Sequence, residues 1–143
     1  MPHRQLTIFT IGCWVALITA AVHMIGHLSG PAAPTNDTER QLLDLATNYR
    51  FPMPGGSPRS LMDFMNGFSL SFSVFMALTG AVGLIVRKRG KDDGVLMRAV
   101  ARAIGGAGLV LTVIAVTQWF IVPSLFLALL TVCFLFAAVT PPK

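Results

Sequence analysis

Apolar and polar positions along the chain divide it into four long apolar runs separated by shorter polar segments. A helix needs about 20 mostly apolar residues to cross the hydrocarbon core of a bilayer. The apolar stretch 103–140 is too long for one span, so it should fold back as a hairpin at TQWFIVPS. The pattern predicts an all-α, four-helix transmembrane bundle in a single domain, 1–143. Its spans are predicted over 6–28, 61–86, 100–119 and 121–140.

Two polar segments join these spans. In segment 30–60 the sequence NDTE is typical of a capping box, with Asn36 as N-cap and Glu39 three residues later. The leucines that follow are spaced for a short amphipathic helix, which we expect at the bundle mouth or in the headgroup layer. Segment 87–99 is basic and is predicted to be a loop.

Composition and charge support a membrane protein and give it an orientation. Hydrophobic residues make up 54% of the chain and charged residues 12%, against about 25% charged in soluble domains. The net charge of +5 follows from topology, because basic residues concentrate on the cytoplasmic side of membranes. Eight of the eleven basic residues fall on the side of both termini: Arg4, Arg87, Lys88, Arg89, Lys91, Arg98, Arg102 and Lys143. We therefore predict an N-in, C-in protein whose segment 30–60 is an outer loop and whose segment 87–99 is an inner loop.

The faces of the first two spans predict how they pack. His23 and His27 lie four residues apart and therefore on one helical face. That face also carries small residues, which allow close packing in lipid: Gly12, Ala16, Thr19, Ala20, Gly26 and Gly30. The second span has a similar face, made of Asp63, Asn66, Ser69, Ser73, Ala77 and Gly80, and an opposite stripe of Phe64, Phe68, Phe72 and Phe75. We expect the two small faces to meet and the phenylalanines to face away.

These faces would gather polar residues near the outer end of the bundle. The predicted cluster consists of His23, His27, Asp63, Asn66 and Gln118. Because an Asp within a span costs roughly 2.5–3.5 kcal/mol on insertion scales, its members should have partners. The simplest role is structural, with a histidine hydrogen-bonded to Asp63 or Asn66 so that the first two helices are locked together.

Three ligand-binding roles are also open. His23 and His27 with Asp63 would give a metal three ligands and an open position, although no general base of the HExxH kind is present. A bis-histidine haem would need a second chain, because residues four apart on one helix cannot occupy opposite axial positions. The third role is a pocket, apolar below and polar above, for an amphiphile such as a lipid, quinone or sterol-like molecule.

The residues also resemble a family of small uncharacterised bacterial four-span membrane proteins. The resemblance covers about 20–85 and rests on a Gly-His pair, an Arg-Phe…Gly-x-Ser segment and Asp-Phe-x-x-Gly-Phe. The matching positions are Gly26, His27, Arg50, Phe51, Gly56, Ser57, Asp63, Phe64, Gly67 and Phe68. It implies the same architecture in a bacterial cytoplasmic membrane, and directs attention to the pairing of His27 with Asp63 and to the loop at Arg50. It implies no activity.

Our working hypothesis is a non-catalytic multi-pass protein of the bacterial inner membrane. It would bind an amphiphilic small molecule or a partner membrane protein through His27, Asp63 and their neighbours, with Asp63 as anchor and His27 as hydrogen-bond donor. We expect no cofactor and no nucleic-acid partner. The alternative is a metal-dependent membrane enzyme that uses His23, His27 and Asp63.

Overall fold

The computed structural model describes residues 3–90 and 92–140, and within them the protein is built from helices joined by loops. Five helices follow one another in the chain: α1 (His3–Leu28), α2 (Asp37–Asn48), α3 (Leu61–Gly90), α4 (Gly94–Gln118) and α5 (Ile121–Val139). Lys91 and Lys143, two of the basic residues used to predict the orientation, lie outside the described residues.

Four of the helices, α1, α3, α4 and α5, are long and apolar enough to cross a membrane. Each contains an 18-residue window of mean hydropathy 2.0 or higher, and large apolar side chains such as Ile25, Val116 and Val139 point outward from the bundle. This confirms the prediction of an all-helical bundle with four candidate spans and is compatible with a multi-pass membrane protein.

The long helices pack antiparallel, with α1 between α3 and α5 and with α4 against the other side of α5. Glycines set the closest approaches. A Cβ atom on Gly80 would lie 2.6 Å from Leu17 and 2.7 Å from the carbonyl oxygen of Cys13, and one on Gly108 would lie 2.6 Å from the Thr131 hydroxyl. Small residues therefore bring the helix backbones together, as expected of packing in lipid.

The predicted inward face of α1 is confirmed over its first five turns. Ala16, Thr19 and Ala20 are buried, and a Cβ on Gly12 would touch the Phe134 ring. The same face opens toward the end of α1, where Gly26 and Gly30 are exposed. We call this end of the bundle the α2 end. It is where α1 ends and α3 begins, and α2 lies between them in the chain.

The basic segment 87–99 is mostly helical, and its prediction as a loop was wrong. α3 continues to Gly90 and α4 begins at Gly94. Arg and Lys are good helix formers, and basic side chains in the last turn interact favourably with the helix dipole. Asp93 then starts α4, because its carboxylate accepts hydrogen bonds from the backbone N–H groups of Val95 (3.0 Å) and Leu96 (2.9 Å).

Helix α2 begins at a cap built from three side chains. The Asn36 side-chain oxygen accepts a hydrogen bond from the Glu39 N–H (2.9 Å). The Glu39 carboxylate reaches back to Thr35, accepting from its N–H (2.6 Å) and its hydroxyl (2.8 Å), one residue earlier than in a capping box. These two hydrogen bonds from Thr35 hold the pKa of the Glu39 carboxyl below its ordinary value. No residue of α2 is fully buried, and the helix packs against α3.

Candidate functional site

A cavity of about 510 Å³ opens between α1, α3 and α5 at the α2 end; we call it the His cavity. Its polar lining includes His23, His27 and the Ser69 hydroxyl, and its apolar lining includes Phe72, Phe120 and Phe126. The volume lies within the roughly 300–1,000 Å³ typical of small-molecule sites, which are mostly apolar with a few placed polar groups. Small residues at the end of α1 create this space, because a Cβ on Gly26 would meet nothing within 4 Å.

His23 is held on the cavity wall by α3. Its Nε2 lies 3.0 Å from the Ser69 hydroxyl, a hydrogen bond in which either group can donate, according to the tautomer. The Phe72 ring packs edge-on to the imidazole with the ring centroids 4.7 Å apart. Trp119 in turn packs on Phe72 with centroids 5.6 Å apart. The orientation of His23 is therefore fixed by contacts from α3, and Trp119 of the α4–α5 turn supports one of the contacting rings.

His27 lines the same cavity one turn farther along α1. It is half-buried, and neither ring nitrogen makes a hydrogen bond with a residue that the structure describes. A neutral imidazole has one donor and one acceptor nitrogen. His27 therefore has hydrogen-bonding capacity to offer a molecule in the cavity, whereas one nitrogen of His23 is already engaged by Ser69.

Asp63 pairs with Arg50 and Ser60, and the expected bond between His27 and Asp63 is not formed. The Arg50 guanidinium lies 2.5 Å from Asp63 Oδ2. The Ser60 N–H donates to the same oxygen (2.9 Å), while the Ser60 hydroxyl accepts from the Asp63 N–H (3.1 Å). This is a reciprocal capping box at the start of α3. Ser60 is only three residues from Asp63, so the box forms within one short segment. It occupies the carboxylate that was predicted to pair with His27.

The loop before α3 is closed by the same residues. Phe51 and Arg59 form an antiparallel bridge, with N–H···O distances of 2.8 and 3.1 Å. With the Arg50–Asp63 ion pair, this bridge ties segment 50–60 back on itself at the mouth of the bundle. We call the set of Arg50, Phe51, Arg59, Ser60 and Asp63 the loop clasp.

Two other predicted members of the cluster lie at its edge. Asn66 is exposed and makes no hydrogen bond with a described residue. Gln118 is also exposed, and lines a neighbouring cavity of about 330 Å³ together with His23, Phe68 and Trp119. The structure thus divides the predicted cluster. His23 and His27 line the His cavity and Gln118 lines its neighbour, whereas Asp63 belongs to the loop clasp. Asn66 is exposed and belongs to none of these.

Phe72 does not face away from the other helices as predicted, and it lines the His cavity. The phenylalanine stripe of α3 was expected to face away from the other helices, and Phe68 and Phe75 are indeed 75% and 63% exposed. Phe72 instead contacts His23 and Trp119. The α4–α5 turn places the Trp119 ring beside Phe72 of α3. The periodicity of a single helix cannot predict this contact, because the two residues are far apart in the sequence.

The side chains do not form a ready metal centre. Within residues 3–90 and 92–140, no three or more His, Cys, Asp or Glu side chains are grouped so that they could hold a metal ion. His23 and His27 share a cavity, but the third predicted ligand, Asp63, is engaged by Arg50 and Ser60.

The fold and this site define a four-helix bundle of membrane-spanning type with an aromatic, histidine-lined cavity at one end. Comparison of the chain with models of protein families, with curated proteins and with solved structures finds no match.

Proposed function

We propose that this protein binds an amphiphilic small molecule in the His cavity and performs no chemistry on it. The observation that supports this most strongly is the lining itself. Phe72, Phe120 and Phe126 offer an apolar surface, while His27 offers an imidazole with no partner among the described residues. A molecule with an apolar body and one hydrogen-bonding head group would match both parts.

A second cavity shares one lining residue with the His cavity. Met65 lines the His cavity and also a second cavity of about 560 Å³ between α2 and α3. The second cavity is lined by Leu42 and Leu43 of α2 and by the Glu39 carboxylate. In our proposal the amphiphile places its head group near His27 and its apolar body toward Met65 and the space under the amphipathic helix.

In our proposal the bundle lies in a bacterial cytoplasmic membrane, with both termini and the α3–α4 turn inside and α2 outside. The distribution of basic residues supports this orientation, since Arg87, Lys88 and Arg89 form the last turns of α3 at the end opposite α2. In whole cells, Ala33→Cys should react with a membrane-impermeant maleimide, and Asp92→Cys should react only after lysis. The reverse pattern would contradict the orientation.

A cavity-filling variant provides the main test of ligand binding. Gly26→Leu adds a side chain at the lining of the His cavity, and nothing lies within 4 Å of its Cβ. Gly106→Leu on α4 is the matched control, since its Cβ also meets nothing within 4 Å and it does not line the cavity. After mild detergent extraction, mass spectrometry should find an amphiphile retained by the wild type and by Gly106→Leu but lost from Gly26→Leu. Equal retention by all three would refute the proposal.

The head-group contact can be tested separately. A net hydrogen bond contributes about 0.5–1.5 kcal/mol, so His27→Ala should weaken binding of the retained amphiphile about two- to tenfold. Metal analysis of the same preparations covers the alternative function. Stoichiometric zinc or iron in the wild type that is lost in His23→Ala would contradict a simple binding protein and favour the metal-dependent enzyme.

A further inference from the structure

A groove that is separate from the His cavity lies on the opposite side of α3. It encloses about 310 Å³ and is lined by Arg59, Asp63, Phe64, Gly67, Phe68 and Ser71; we call it the Arg59 groove. At 3.6 residues per turn, Gly67 lies about 160° around the helix from Ser69, which faces the His cavity. We propose that the Arg59 groove binds one anionic glycerophospholipid, with the lipid phosphate at the Arg59 guanidinium and an acyl chain along Phe64, Gly67 and Phe68.

Charge at the top of the groove favours a phosphate. Arg50 is already bonded to the Asp63 carboxylate. Arg59 acts on the same carboxylate through its charge but forms no ion pair with a residue that the structure describes. Two guanidinium groups against one carboxylate leave one net positive charge at the rim. Guanidinium groups bind phosphate oxygens with two parallel hydrogen bonds. A lipid whose head group adds no positive charge is the best match to this rim.

The length of the groove matches one leaflet of a bilayer. Arg59 lies two residues before the start of α3 at Leu61, so in our proposal its guanidinium is at the head-group level of the membrane. From Leu61 to Ser71 the helix rises about 15 Å, which is half of the roughly 30 Å hydrocarbon thickness. An acyl chain whose phosphate is at Arg59 would therefore follow the groove along its whole length.

The shape of the groove also suits a chain. Phe64, Gly67, Phe68 and Ser71 recur at intervals of three and four residues and thus form one continuous stripe on α3. Gly67 lies about 60° from Phe64 and about 100° from Phe68 around the helix, on the same side of both, and a Cβ there would meet nothing within 4 Å. The missing side chain leaves a channel beside the two aromatic rings. Because Phe68 is 75% exposed, this channel is open to surrounding lipid.

Two variants test the two halves of the groove. Arg59→Gln removes the guanidinium but keeps the backbone bridge to Phe51, and Gly67→Leu adds a side chain to the channel. The matched controls are Arg40→Gln, which removes one positive charge from α2, and Gly106→Leu, which adds the same side chain on α4 where it also meets nothing within 4 Å. Circular dichroism and thermal unfolding check that each variant is folded. Arg59 lies in the loop before α3, whereas Gly67 lies within the helix. If one variant does not fold, the other still tests the proposal.

The measurement is native mass spectrometry of the micelle-solubilised protein titrated with phosphatidylglycerol. One basic residue near the membrane surface changes anionic-lipid binding about fivefold, so Arg59→Gln should weaken the tightest phosphatidylglycerol site about fivefold. Gly67→Leu should also weaken it, and both controls should bind like the wild type. Equal binding by Arg59→Gln and Arg40→Gln would overturn the proposal.

Two further titrations identify the ligand class. Phosphatidylcholine carries the same phosphate with a cationic head group and should bind more weakly, so equal affinity would overturn the preference for an anionic lipid. Glycerol 1-phosphate supplies the head group without chains. If it bound as tightly as phosphatidylglycerol, and if Gly67→Leu had no effect, the groove would be a site for free phosphate and the lipid proposal would be refuted. Neither result bears on the His cavity, which Gly26→Leu tests independently.

Discussion

The interface between α1 and α3 is closed at one end and open at the other, although small residues line both ends. Around Gly80 and Gly83 the helices touch so closely that an added Cβ would lie 2.6 Å from Leu17 or from the Cys13 sulfur. Around Gly26 an added Cβ would meet nothing within 4 Å. The same residue type therefore serves two purposes along one helix pair. In the closed half glycine allows contact, and in the open half it leaves room.

Aromatic side chains explain the difference. In the closed half the neighbours of the glycines are Cys13, Leu17 and Phe9, which fill the space between the helices. In the open half, the rings of Phe72, Phe120 and Phe126 stand around a space that they do not fill. At this end the large side chains line the space between the helices and leave it open.

The largest expected effect is at Gly80. Overpacking a core typically costs about 1–3 kcal/mol, and one of the atoms that a new methyl would strike is a backbone oxygen. Gly80→Ala should therefore lower the free energy of unfolding in detergent micelles by about 2 kcal/mol. Gly26→Ala is the control and should raise it by about 0.5–1 kcal/mol, because alanine is the better helix former and has space there. Equal effects at the two positions would contradict the division into closed and open halves.

A smaller effect is expected at the hydrogen bond that crosses the open half. Interhelical hydrogen bonds in membranes contribute about 0.6 kcal/mol on average. A double-mutant cycle of His23→Ala and Ser69→Ala should give a coupling energy of about this size. If the two changes were additive, the 3.0 Å contact between these side chains would contribute nothing to stability.

The smallest effect is expected at the cap of α2. Thr35 and Glu39 of this cap line the cavity between α2 and α3, which shares Met65 with the His cavity in the open half. Because hydrogen bonds from Thr35 lower the pKa of Glu39, the carboxylate stabilises the cap above the ordinary pKa of glutamate. That stabilisation is lost as the pH falls through the lower pKa of the folded state. In an NMR titration the Thr35 amide resonance should shift with this lowered pKa, and Glu39→Gln should abolish the shift. A titration at the ordinary value would contradict the hydrogen bonds.

The sequence predicted the bundle because hydropathy and small-residue spacing are local properties. The buried positions Ala16, Thr19 and Ala20 follow from a single helical face. The pattern did not predict that α3 continues through Arg87, Lys88 and Arg89. The predicted span ends where the apolar run ends, whereas basic residues suit a helix C-terminus.

The site was predicted less well than the fold. A signal for the true partner of Asp63 was present in Ser60-x-x-Asp63, the same kind of capping pattern that predicted the start of α2. The contacts of Phe72 with His23 and Trp119 had no such signal. They depend on how α1, α3 and the α4–α5 turn come together, and spacing within one helix does not contain that information.

The contact between Trp119 and Phe72 supplies the protein with its own optical reporter. The chain contains two tryptophans, and Trp14 lies nine residues before His23, about 14 Å away along α1. In a Trp14→Phe background, fluorescence would come from Trp119 alone, whose ring lines the neighbouring cavity and packs on Phe72, a residue of the His cavity. Occupancy of the site could then be followed in intact membranes through changes in emission wavelength and quenching, without attaching a dye.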